Sequence, residues 1–212
     1  NELYCQAQME KLSVAERAAV YNEGRKRLRG KIETLLHYPE IIFSDFGTRR
    51  RFNFEWHKEV VATLIERIPK QFIGTSNVEL SRQYNLEPVG TSPHEIFQVG
   101  SGIYYGSDDE MRTSQNRMFN LWWEMYGEEL SIFLPDTFGS EFTLRTLPKE
   151  WLESWKGFRQ DSGDPFTFGE KVLALYARYG IDSRKKVIIF SDGLNLGTII
   201  ALYLHFKGRI KI

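Results

Sequence analysis

GFRQDSGDPFTFGEKVLALYARYG, residues 157–180, decides how the chain is read. Its first four residues, Gly157 to Gln160, have the length and apolar character of a short strand, and the next four are polar. Asp164 and Pro165 then have the chemistry of an N-cap followed by the first residue of a helix, where the missing proline N–H costs nothing. The tail KVLALYARYG spaces its apolar residues on one helical face, so a helix over 165–179 is predicted. The unit is strand, polar loop, helix.

Working outward, the same order recurs. Short apolar runs lie at 41–44 (IIFS), 72–75 (FIGT), 88–91 (PVGT), 131–135 (SIFLP), 187–192 (VIIFSD) and 209–212 (RIKI). Helical patterns occupy 55–68, 77–84, 110–126 and 195–206. Upstream, Ser13 caps a long helix that ends at Pro39 despite Gly24 and Gly30. Alternation of this kind makes an α/β fold with a mainly parallel sheet. Periodicity alone does not separate an open doubly wound sheet from a closed barrel. The polar signatures, however, follow the strands: SDFGTRRR, GTSN, GTSPHE, PD, RQDSGDP and SDG. That placement suits a parallel (β/α) barrel, irregular or incomplete here, whose site is built from strand-to-helix loops. No internal repeat, low-complexity tract or linker interrupts 1–212, and GSGIYYGSDD (100–109) is the best candidate for an exposed loop. The chain opens in a helical stretch, 1–8, and stops on a strand-like run, so it reads as a fragment of a longer protein.

The 212 residues carry 28 Lys plus Arg against 28 Asp plus Glu, which leaves no global charge to attract nucleic acid or an acidic membrane. Any anion site must therefore be local. Hydrophobic residues at 42% put the chain in the ordinary globular range. A lone cysteine, Cys5, forms no internal disulfide, and no apolar run has the length of a spanning helix, which points to a reducing, cytoplasmic setting, with the nucleus open in a eukaryote.

Chemistry can reside in several of the loops. Thr48 and three arginines, Arg49 to Arg51, follow a glycine turn and offer forked donors to phosphate, while Phe46 offers a flat aromatic face. The plain alternative is a solvated charge run beside a core Phe. Two GT turns, 74–77 and 90–95, supply hydroxyls and amides for an anion, or only ordinary turns and caps. His94 follows Pro93 at the first turn of a helix, unlike His37, His57 and His205, whose helical settings suggest packing or solvation. A carboxylate such as Glu95 or Asp136 would fix its tautomer and leave one ring nitrogen as a nucleophile. In the 157–165 stretch, Arg159 suits an anion, Asp161 suits Mg²⁺ or ribose hydroxyls, and Ser162 with Gly163 turns amides toward phosphate. Asp192 and Gly193 place a further acid at a strand end, or simply make a turn.

Taken together and in order, SDFGTRRRF, GTSN, GTSPHE, FRQDSGDP and SDGLN resemble the nicotinate phosphoribosyltransferase family over residues 41–195. The resemblance implies that 1–212 is the central part of an α/β-barrel phosphoribosyltransferase domain, lacking an N-terminal sandwich-like domain and the last barrel units. It implies an enzyme of NAD biosynthesis that joins nicotinate to the phosphoribosyl group of phosphoribosyl pyrophosphate. Nicotinate mononucleotide and pyrophosphate are the products. ATP is the coupled co-substrate, Mg²⁺ accompanies the pyrophosphate, and the protein is a monomer or homodimer. His94 matches the histidine phosphorylated by ATP, with Asp136 in support. Phe46 matches the aromatic that stacks on the pyridine ring; Arg49 and Arg159 match positions facing ring and phosphates; Asp161 and Asp192 match ribose or Mg²⁺ contacts. At Ser76 the related nicotinamide-using family has an aspartate that accepts from an amide and would repel the nicotinate anion. The neutral serine therefore favours the acid, as would a nearby Arg159.

Three other classes stay in view. A barrel-derived scaffold without chemistry would use the same arginines and aspartates structurally, and a nicotinamide-specific relative would share most motifs. A metal-dependent hydrolase would need clustered histidines, and no His-x-His pair follows any strand.

Overall fold

A short helix, α1 (Glu2–Glu10), precedes a long one, α2 (Val14–Leu36). The start of α2 is fixed by a reciprocal cap: Ser13 Oγ accepts from the Glu16 amide, and the Glu16 carboxylate accepts from the Ser13 amide at 2.8 Å. The computed structural model describes all 212 residues, which divide into two compact units, 1–90 and 91–212.

In the first unit, β1 (Phe43–Asp45) pairs in parallel with β2 (Phe72–Thr75). Between them run a one-turn 3₁₀ helix (Thr48–Arg50) and α3 (Phe54–Arg67), and α4 (Val78–Tyr84) follows β2. The register runs from Phe43 against Phe72 to Asp45 against Thr75, with an irregularity between, so the last residues of both strands lie side by side. Val61, Leu64, Phe72 and Leu80 are buried in its core. Gln71, also buried, donates to the carbonyls of Leu35, Tyr38 and Ile41, so its amide satisfies the chain as it leaves α2 for β1.

The second unit contains α5 (His94–Ile103), α6 (Asp108–Tyr126), β3 (Ile132–Phe133), α7 (Ser140–Thr146) and α8 (Lys149–Ser154). It continues with β4 (Gly157–Gln160), α9 (Pro165–Arg178), a 3₁₀ turn at Ser183–Lys185, β5 (Val187–Phe190) and α10 (Leu196–Phe206). The strands form one parallel sheet in the order β3-β4-β5. The central strand β4 is buried at the adjacent residues Gly157 and Phe158, which face opposite sides of the sheet, as a parallel strand covered on two faces should be. Phe133 stacks on Trp155 with centroids 3.9 Å apart, and Phe119 meets Phe133 edge-on at 5.0 Å and Phe97 at 4.8 Å. Each such pair contributes about 0.5–1.5 kcal/mol beyond its buried area. Phe97 lies one turn after His94 and is fully buried, so this aromatic core fixes the start of α5.

Most strands are shorter than their apolar runs. PVGT (88–91) makes no strand: Pro88 has no N–H to donate, and the segment's link to β2 is a bond from the Val89 amide to the Thr75 carbonyl. RIKI (209–212) contributes a single parallel bridge, Lys211 to Val187. The expected loop 100–109 is largely helical, because α5 continues to Ile103 and Ser107 caps α6; Tyr104–Ser107 alone connect them. The two short helices α7 and α8 went unanticipated, being too brief to show a period. No helix is long and apolar enough to cross a membrane.

Candidate active site

In the second unit, α5 presents His94 from its first residue, directly after Pro93, and two loops bring carboxylates to the ring. Asp136, after β3, accepts from Nε2 at 3.0 Å, while Asp161, after β4, has an oxygen 3.7 Å from Nδ1, beyond hydrogen-bond reach. The imidazole is one-third exposed and the carboxylates more enclosed. With Asp136 an acceptor, Nε2 carries the proton and Nδ1 presents its lone pair.

Both carboxylates are themselves held. Ser162 Oγ donates to the other Asp136 oxygen at 2.7 Å. Arg159 donates to Asp161 at 2.9 Å, to Ser191 Oγ at 2.9 Å and to Thr91 Oγ1 at 2.9 Å. Ser191 Oγ in turn lies 2.7 Å from the same Asp161 oxygen. Arg159 thus ties the loops after β4 and β5 to the segment that leads into α5, and its positive charge offsets the carboxylate facing Nδ1. The Asp161–Asp164 turn is shaped from below: Gln160, buried, donates through Nε2 to the carbonyls of Ser162 and Gly163, both at 3.0 Å. Gly163 has φ 75°, a left-handed conformation that glycine adopts without strain. Asp164 caps α9 by accepting from the Thr167 amide at 2.7 Å.

The first unit has a second polar cluster where β1 and β2 end together. Asp45 accepts from His57 Nε2 at 2.6 Å, from Thr75 Oγ1 at 2.6 Å and from the Gly47 amide at 2.8 Å. Burial works to raise the Asp45 pKa, but the bonds from His57, Thr75 and Gly47 outweigh it and hold the carboxyl below its usual value. Phe46, beside Asp45, is 39% exposed, and Thr48 and Arg49 on the 3₁₀ turn are exposed. Arg51 is taken out of the arginine run by Glu2, at 2.8 Å. Ser76 is half-buried after β2, and its amide donates to the Asp45 carbonyl at 2.8 Å.

The predicted residues thus separate. His94, Asp136, Arg159, Asp161, Ser162 and Gly163 converge in one unit, and Phe46, Thr48, Arg49 and Ser76 lie on the two strand-end loops of the other. Glu95 is exposed and does not hold the His94 ring, because it sits outward on the first turn; Asp136 fills that role. Asp192 and Gly193 lie exposed after β5, outside the hydrogen-bonded cluster. No group of three His, Cys, Asp or Glu side chains is arranged to hold a metal ion. Thr91, Ser191 and the Asp45–His57–Thr75 cluster were missed. Their signal was faint: each belongs to a quoted strand-end motif or to a helix whose histidine reads as packing.

Parallel strands that bring an imidazole, two carboxylates, hydroxyls and a guanidinium to their C-terminal ends define an α/β protein with an enzyme-type polar site. A family profile described as "Nicotinate phosphoribosyltransferase (NAPRTase) family" matches residues 41–212, and the chain belongs to that family. It is similar to the crystal structure of nicotinate phosphoribosyltransferase from Porphyromonas gingivalis, with 32% identity and a TM-score of 0.83 over 90% of this chain and 48% of that one. It is also similar to the enzyme structure from Vibrio cholerae, with 33% identity and a TM-score of 0.81 over 88% of this chain and 44% of that one. The chain therefore spans just under half the length of these relatives.

Proposed function

We propose that the full protein containing this chain transfers the phosphoribosyl group of phosphoribosyl pyrophosphate to the ring nitrogen of nicotinate, coupled to ATP hydrolysis through His94. The observation that carries the ATP step is the asymmetry of the His94 ring. Nε2 is bound to Asp136 at 3.0 Å while Nδ1 has no hydrogen bond. Nδ1 attacks the γ-phosphorus of ATP, a P–N bond forms, the P–O bond to ADP breaks, and ADP leaves. As the ring gains positive charge, its Nε2–H bond to Asp136 strengthens, and Ser162 holds that carboxylate in line. Water later attacks the phosphorus, the P–N bond breaks, inorganic phosphate leaves, and His94 returns to its starting state.

In the transfer itself the nicotinate nitrogen bonds to the ribose anomeric carbon as the bond to pyrophosphate breaks. Phe46 is the face offered to the pyridine ring, Arg49 an exposed cation for an anionic group, and Ser76 the neutral residue that tolerates the nicotinate carboxylate. Asp192 and the Ser162–Gly163 turn are proposed for ribose hydroxyls and phosphate. Mg²⁺ usually binds through one or two carboxylates plus substrate phosphates, so Asp161 alone suits a cation that arrives with the pyrophosphate and lessens its charge. An irregular parallel (β/α) barrel of the phosphoribosyltransferase type stays the fold of this proposal.

The test uses the full-length protein, assayed with nicotinate against nicotinamide, with and without ATP. We expect nicotinate mononucleotide formation stimulated by ATP, label from γ-labelled ATP on His94, and slow uncoupled transfer in His94→Ala. Full ATP stimulation in that variant would overturn the role of His94, and absence of transfer from any pyridine in the wild type would favour the scaffold alternative.

A further inference from the structure

His57 is a buried imidazole that the proposed chemistry does not use. It is 4% exposed, on the first turn of α3, and its Nδ1 is enclosed without a hydrogen-bond partner. A buried ring nitrogen left unsatisfied is a cost, so the ring's place is justified by what its other nitrogen does. That nitrogen, Nε2, donates to Asp45 at 2.6 Å. Through its two oxygens Asp45 then accepts from the Gly47 amide and from Thr75 Oγ1, and its own carbonyl accepts from the Ser76 amide at 2.8 Å. Asp45 therefore joins the two loops: its carboxylate ties Gly47 to Thr75, the last residue of β2, and its carbonyl holds the amide of Ser76 that follows.

We infer that His57 is a positioning residue for pyridine recognition: by fixing Asp45, it sets the relative placement of the Phe46–Arg49 turn and Ser76. The inference rests on the proposed role of these two loops in holding nicotinate. It differs in location from the ATP step, since His57 belongs to the first unit and His94 to the second. Removing the His57 donor leaves Asp45 enclosed with fewer partners, and the carboxylate then turns toward water or takes up a proton. Either change loosens the Gly47 and Thr75 bonds together. The ring-stacking face and the serine then lose their fixed separation, which weakens binding of a small rigid ligand more than it alters bond-making steps elsewhere.

The experiment compares His57→Leu with His57→Gln in the full-length protein. Leucine fills space without donating, whereas the glutamine amide reaches Asp45 from nearly the position of Nε2. For His57→Leu we expect the KM for nicotinate to rise about tenfold, with the KM for phosphoribosyl pyrophosphate and nicotinate-independent ATP hydrolysis within about twofold of wild type. His57→Gln should restore the nicotinate KM to within about threefold. An unchanged nicotinate KM in His57→Leu, or an equal loss in all parameters that glutamine does not rescue, would overturn the proposal. Should the leucine variant not fold, His57→Asn, polar but one carbon too short, replaces it with the same expected outcome. Hydrogen exchange of residues 46–50, measured without substrate, separates the two levels of inference. Faster exchange in His57→Leu than in His57→Gln supports positioning even if nicotinate proves not to be the substrate, and equal exchange in both refutes it.

Discussion

Ser76 shows how much one side chain can settle. It follows β2, half-buried, with its amide fixed to the Asp45 carbonyl, so a longer acidic residue there would point its charge from a held backbone. Under the proposed role of this loop, Ser76→Asp in the full-length protein should lower kcat/KM for nicotinate and raise the nicotinamide to nicotinate ratio by about tenfold or more, since an anion facing an anion is costly. An unchanged ratio in steady-state assays would sink the idea. His94 was identifiable from its motif, and so was Asp136 as one of two candidate supports. The choice between Asp136 and Glu95 was not, because adjacency in sequence favours Glu95 while the first turn of α5 directs it outward. His57 is buried, as its helical setting suggested, but its bond to Asp45 was not foreseen for a related reason. A histidine inside an amphipathic helix looks like packing, and nothing in α3 announces that Asp45, twelve residues earlier, ends beneath it.

At the level of elements, β4 and the glycine that begins it matter most. A Cβ on Gly157 would lie 1.8 Å from the Val187 carbonyl oxygen, an atom of the neighbouring strand's backbone that has no rotamer by which to yield. Gly157→Ala should therefore destabilise the protein by about 3 kcal/mol or more, against about 1–3 kcal/mol for overpacking where side chains can shift. Chemical denaturation measures it, and a midpoint equal to wild type would show that β4 and β5 can separate locally. Helix ends were easy to anticipate where caps mark them, as at Ser13 and Asp164. Strand lengths were not. An apolar run such as SIFLP shows burial, but only the geometry of the partner strand decides that two of its residues pair. PVGT likewise has the composition of a strand and the backbone of a crossing segment.

For the whole molecule, acid stability follows from carboxylates held below their usual values. Glu170 is lowered to about 2, chiefly by the hydrogen bond from Arg209 and then by His205, and Asp45 is lowered as described. Both are depressed in the folded state, so their contributions are complete above the unfolded carboxylate range, about pH 4, and are lost as pH falls through the folded values. The Glu170–Arg209 pair is nearly half exposed, so added salt screens it, whereas the enclosed Asp45 cluster is screened less. Melting temperature should thus fall between about pH 5 and pH 2, and Glu170→Gln should reduce the salt-sensitive part of that fall, to which other exposed pairs such as Glu59–Arg25 also contribute. A salt response identical in wild type and variant would refute the assignment.

Most of the order of strands, polar loops and helices, the family and the motifs whose residues gather around His94 were determined by the sequence alone. Each of these depends on local period, capping chemistry and short motifs, which act over a few residues. Which carboxylate holds His94, the ties from Arg159 to three separate loops and the burial of His57 against Asp45 were decided only by the tertiary structure. Those contacts join residues far apart in the chain, and no local preference specifies them. They arise when parallel strands end side by side and bring their loops together.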